Sequence, residues 1–232
     1  MKLAIMQPYF LPYLGYFQLM AAADKFIFLD NVNFIKKGWI NRNQLLLNGA
    51  PHLFTLPLQR ASQNKHICDT QVTADKKWVD SLQKTIRHAY AKAPHYTPVT
   101  EMLLPLLKSD EVMLDVFLAD MLTAVARYIG IESEIVRTSR QFDCEDAAGQ
   151  ERIIRICKFL EADHYINPIG GADLYDRNRF HQQNIELSFL TPCIRPYPQG
   201  SDAFVPNLSI LDVLMFNEPK QVNAMLKQAE IN

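Results

Sequence analysis

Gln7 to Tyr16 reads Gln-Pro-Tyr-Phe-Leu-Pro-Tyr-Leu-Gly-Tyr, a stretch that concentrates Tyr9, Tyr13, Tyr16, an amide and Gly15. Phenol rings stack on a base or a sugar ring, and an amide such as Gln7 hydrogen-bonds hydroxyls. The stretch follows Lys2 to Met6, a short apolar run that reads as a buried strand, and precedes Tyr16 to Asp24, which reads as a helix. It therefore falls at the carboxyl end of a first strand, where open α/β sheets place ligands. A phosphate would be received at Gly15 and the helix start near Tyr16. The bland alternative is an aromatic plug that closes the sheet.

A second group follows the next apolar run, Lys25 to Asp30. Asn31 to Arg42 carries Lys36, Lys37 and Arg42, the amides of Asn33 and Asn41, and Trp39. Cations there, with Lys65 further on, would clamp a phosphate or carboxylate, and Asp30 would hydrogen-bond hydroxyls. The alternative is a solvated hairpin. A third group is Asn167 to Asp176, where Gly170 and Gly171 form a loop that a ligand could approach closely. It has neither the Lys-Ser/Thr of a phosphate-binding P-loop nor the spacing of a dinucleotide fingerprint, and an ordinary turn is the alternative.

The six histidines form no HxxxH or HxH pair, and the four cysteines, Cys68, Cys144, Cys157 and Cys193, form no CxxC. On that spacing no metal site and no cofactor is expected. Widely spaced thiols suit a reduced, cytoplasmic protein.

These groups need elements to position them. Strand, turn, helix and strand within the first thirty residues predict a βαβ unit and a parallel sheet. Asn48-Gly49, between Gln44–Leu47 and His52–Leu58, predicts a hairpin. Helices are expected over Val79–Ala91, Thr100–Leu107 and Glu111–Tyr128, the last closed by Gly130. Further strands are expected over Glu134–Arg137, Asp163–Asn167 and Ile185–Leu190. Helices are expected over Gln150–Leu160, Leu208–Phe216 and Pro219–Gln228. The alternation predicts one α/β domain over 1–232 with a doubly wound, mostly parallel sheet of nucleotidyltransferase or Rossmann-like type. A helix-rich insertion or subdomain is expected near 75–130.

Composition agrees. The 232 residues are 48% hydrophobic and 21% charged, ordinary values for a globular chain. The net charge of −1 argues against a nucleic-acid binder. No apolar run reaches the roughly 18 residues of a membrane span. The expected partner is a small molecule, a nucleotide or nucleotide sugar; oligomeric state is not legible.

Pro12-Tyr13-Leu14-Gly15-Tyr16 has the spacing of the Pro-x-His-x-Gly-His turn of the nucleotidyltransferase superfamily, with tyrosine at both histidine positions. More specifically, the chain resembles the WbqC-like protein family. Gln7 to Phe17, Phe28-Leu29-Asp30, Trp39 to Asn43, Thr55 to Leu58, Arg127 to Ile131, Gln150 to Lys158, Tyr165, Gly170-Gly171 and Ser209 to Asn217 carry the resemblance, which runs end to end. It departs after Asn217, where the family tends to have Gly and this chain has Glu218-Pro219.

The resemblance implies a cytosolic step in bacterial surface-polysaccharide (O-antigen, lipopolysaccharide) biosynthesis: a transferase modifying a nucleotide-linked sugar, such as by aminoacyl or acyl transfer. Two alternatives stay open. One is a nucleotidyltransferase-like enzyme with a degenerate HxGH turn. The other is a non-catalytic binding protein of a polysaccharide-assembly complex. No catalytic residue is assigned.

Overall fold

The computed structural model describes every residue except Ala74, Asp143, Glu145 and Asp202. Lys2–Met6 (β1) leads through the tyrosine-rich turn into Leu14–Ala22 (α1) and back as Lys25–Phe28 (β2). β1 and β2 pair in parallel, from Leu3 beside Lys25 to Met6 beside Phe28, as the βαβ reading requires. The helix begins two residues before Tyr16 because Tyr13 is still extended (φ −69°, ψ 168°) and caps it.

The hairpin is Arg42–Leu47 (β3) and Ala50–Thr55 (β4). Asn48 and Gly49 both have positive φ, 51° and 76°, the geometry of the tight turn their sequence predicts. Leu58–Gln59 (β5) pairs with Gln71–Val72 (β6), and the helices Lys76–Tyr90 (α2), Tyr96–Leu107 (α3) and Leu114–Tyr128 (α4) follow. Gly130 (φ 72°) closes α4, and the Ile131 N–H reaches back to the Ala126 carbonyl at 2.9 Å.

The chain then returns to the main sheet. Glu134–Val136 (β7), Gly149–Phe159 (α5), His164–Pro168 (β8), Arg177–His181 (α6) and Glu186–Thr191 (β9) come next. Ile210–Phe216 (α7), Pro219–Leu226 (α8) and Glu230–Ile231 (β10) complete it. The Glu218-Pro219 departure starts α8: Glu218 and Gln221 form a reciprocal cap, with Pro219 in the first turn.

The main sheet runs β10-β9-β8-β1-β2-β7, with β10 antiparallel and the rest parallel. The chain builds outward from β1 through β2 to β7, then crosses back to add β8 and β9 on the other side of β1. That reversal is the topological switch point of a doubly wound sheet, and it opens a crevice at the carboxyl ends of β1 and β8.

Both faces of the sheet are covered because alternate side chains point to opposite faces. Ala4, Phe26, Phe28 and Ile166 join the core packed by α1, α4 and α7. Leu3, Ile5, Ile27 and Tyr165 join the core packed by α5. Each fully buried Leu or Phe contributes about 1.5–3 kcal/mol. No helix of the described residues is long and apolar enough to cross a membrane.

Candidate functional site

The β1–α1 turn is fixed by its neighbours. Buried Leu11 has φ 45°, a left-handed conformation uncommon for leucine. Its carbonyl accepts hydrogen bonds from Asn43 Nδ2 (2.8 Å) and Ser209 Oγ (2.7 Å). The next carbonyl, of Pro12, accepts the Ile210 N–H at 2.8 Å, and the Phe10 N–H reaches Ile40 O at 2.9 Å. The hairpin and the start of α7 thus hold the turn from two sides, which is how a strained residue persists.

Over this turn lies a cavity of about 430 Å³, walled by Tyr9, Tyr13, Tyr16 and Trp39 and floored by Met6 and Pro168 at the ends of β1 and β8. Asn43 and Asn207 add amides. Trp39 is 49% exposed, so its ring is free to meet a ligand. The Tyr16 hydroxyl donates to Gln7 O at 2.9 Å, and Tyr9 donates to Gln7 Oε1 at 3.4 Å. Burial pushes the Tyr9 phenol up to about 12, and it raises Tyr13 and, further, Tyr16. All three are neutral at pH 7, so they act as donors and stacking surfaces rather than as bases.

A second cavity, of about 650 Å³, opens at the same edge on the α5 face. Leu29 and Asn31 after β2, the first turn of α5, and Tyr175 after β8 line it. Behind it stands a polar network. Asp30 is fully buried; it accepts hydrogen bonds from the Ser139 N–H and Oγ (both 2.9 Å), from Thr138 Oγ1 (2.6 Å) and from Arg140 Nε (3.1 Å). Arg140 also pairs with Asp115 at 2.6 Å, and burial raises the Asp115 carboxyl.

The structure also gathers His66, Cys68 and Asp69 in one 3-10 turn, a three-donor cluster that spacing alone had discounted. Burial, then the carboxylates of Asp69 and Asp30, pushes the Cys68 thiol up to about 11, so it is a protonated group at neutral pH.

The WbqC-like protein family model matches residues 7–224. The chain belongs to the WbqC-like family. The uncharacterized protein Rv1507c of Mycobacterium tuberculosis is 28% identical to this chain over 220 residues, 93% of each protein. No solved structure matches it.

In this WbqC-like protein the predicted site residues part into groups. Tyr9, Tyr13, Gly15 and Tyr16 line the first cavity, and Gln7 supports it from behind. Gly15, however, does not leave its helix start open. A Cβ there would lie 2.4 Å from the Tyr13 ring, so the ring occupies the approach expected for a phosphate. Asp30 has both carboxylate oxygens engaged by protein donors, and its cation is Arg140, not Arg42. Arg42 folds onto its own loop: Nε donates to Gly38 O at 2.9 Å, the guanidinium also donates to Lys37 O, and it lies 5.9 Å from the Trp39 ring centre.

Asn41 ties the hairpin to Leu56 O at 2.8 Å. Lys36 and Lys65 are exposed, and neither lines the two edge cavities. Gly170 and Gly171 lie in a 3-10 turn beyond β8; a Cβ on Gly171 would meet the Asn167 amide at 2.4 Å. Of Gln7, Tyr13, Gly15, Lys36, Arg42 and Gly171, the structure brings Tyr13 and Gly15 to one cavity with Gln7 behind them, and Lys36, Arg42 and Gly171 line neither edge cavity.

Sequence reasoning missed Arg152 and Asn207. Arg152 had a signal. It lies one turn before Ile156 on the α5 apolar stripe, where an arginine is out of place unless something polar awaits it.

Proposed function

We propose that this WbqC-like protein is a transferase acting on a nucleotide-linked sugar in bacterial surface-polysaccharide synthesis. The observation that carries the reading is the tyrosine- and tryptophan-walled cavity at the switch point between β1 and β8. Stacked rings with a few amides suit a base or sugar ring carrying hydroxyls. Tyr9 and Tyr16 donate to Gln7, so the neutral Tyr13 phenol is the donor for such a ligand, and the rings exclude water around it. The nucleotidyltransferase alternative is disfavoured, because Tyr16 is buried and bonded to Gln7, while Tyr13 covers the helix start where a triphosphate would sit.

The test is melting temperature against a panel of nucleotide sugars, the matching nucleoside diphosphates and free sugars. A ligand of the native state raises it by mass action. A nucleotide sugar should give the largest rise, and Tyr13→Ala should remove most of it. A flat response to every nucleotide sugar at millimolar concentration would sink the reading.

A further inference from the structure

The cavity on the α5 face is lined by a buried cation with no anion among the described residues. Arg152 is 7% exposed and lines that cavity. Its guanidinium donates only to the neutral oxygens of Asn31, to the main-chain carbonyl at 3.2 Å and to the side-chain amide. Among the described residues Arg152 makes no ion pair, and its Nε has no hydrogen-bond partner. Buried charges are normally paired, so a buried cation that lines a cavity without a counter-charge among the described residues calls for an anion from outside the chain.

A second, independent feature faces the same space. The first turn of α5 lines the cavity, and its N-cap residue, Ala148, has no side-chain acceptor to offer the free N–H groups. Gly149 starts the helix at φ 55°, and a Cβ there would meet nothing within 4 Å. A helix start with unsatisfied N–H groups and positive partial charge attracts oxyanions. The carboxylates of the flanking segments are already engaged: Asp30 and Asp115 share Arg140, Glu151 in the first turn of α5 pairs with Arg179, and Asp146 pairs with Arg155, while Asp30 connects to Arg152 through Ser139 and Asn31.

We propose that this cavity is an oxyanion site that takes a phosphorylated small molecule, gripped by the Arg152 guanidinium and the first-turn N–H groups of α5. At about 650 Å³ it has room for more than a bare phosphate. The proposal does not depend on what fills the tyrosine-walled cavity.

The test uses the whole protein, with melting temperature and calorimetric titration against inorganic phosphate and pyrophosphate at constant ionic strength, and acetate as the carboxylate arm. Phosphate and pyrophosphate should bind and raise the melting temperature, and acetate should not. Ala148→Asp places a carboxylate at the helix start in the ligand's stead. It should leave the ligand-free protein at least as stable and weaken phosphate binding by at least about tenfold. If A148D fails to fold, Arg152→Lys, which loses the planar fork of the guanidinium, should show the same weakening. No phosphate binding by the wild type, or binding that neither variant weakens, overturns the proposal. An acetate response equal to that of phosphate overturns the phosphate assignment.

Discussion

In α7, the helix whose start holds the β1–α1 turn, Asp212 is fully buried in the first turn. It accepts hydrogen bonds from Tyr90 (2.9 Å), Tyr197 (2.7 Å) and Gln199 (2.8 Å), and among the described residues it has no cation. Beside the cavity on the α5 face, Arg152 is buried with no anion among the described residues, and one of its donors is unmet. Both are charges taken out of water, but their surroundings differ. Asp212 is enclosed by donors that fully serve its oxygens, with the helix start adding favourable field, so it needs nothing from solution. Arg152 is served only by the neutral oxygens of Asn31, and its side chain lines a cavity. A satisfied buried charge is architecture; an unsatisfied one beside a cavity is a ligand site in waiting.

The sharpest way to break this contrast is to remove each charge in turn. Asp212→Ala leaves several buried donors without an acceptor and should cost on the order of 3 kcal/mol or more. Arg152→Met replaces an unpaired cation with an apolar chain of similar reach. In the ligand-free protein it should fall within about 1 kcal/mol of wild type, since a buried charge without a partner stabilises little. Urea unfolding of the two variants decides it, and equal losses would end the distinction.

A smaller effect appears in pH. Burial raises the Asp212 carboxyl above its ordinary value of 3.8. The folded protein therefore holds this proton more tightly than the unfolded chain does. The resulting stability is full below the unfolded value and is lost as pH rises through the raised folded value. Wild-type stability minus that of Asp212→Asn should accordingly decline as pH rises across that window. A difference that is constant, or that grows with pH, would show that the carboxyl is not raised.

Much of the frame was legible because periodicity and turn chemistry are local. The β1–α1–β2 unit, the Asn48-Gly49 hairpin and the Gly130 helix end each follow from a few adjacent residues. The two-residue strands β5, β6 and β10 and the five-residue α6 are too short to show a period. The tyrosine cavity was half legible: its rings are clustered in sequence, but Asn207 arrives from a distant loop. The cations were the weakest reading. Arg42 stood in a charged run yet closes its own loop, whereas Arg152 and Arg140 meet partners 121 and 110 residues away, a pairing that only the fold creates.

The claim that a nucleotide-linked sugar binds at the β1/β8 switch point is tested most directly by the fluorescence of Trp39. The chain has two tryptophans, and Trp78→Phe leaves Trp39, which lines the cavity, as the sole indole reporter. Titration of that variant with the nucleotide sugar that most raises the melting temperature should give a saturable change in Trp39 emission, abolished by Tyr13→Ala. A ligand that stabilises the protein while leaving Trp39 emission unchanged would place its site elsewhere and contradict the account.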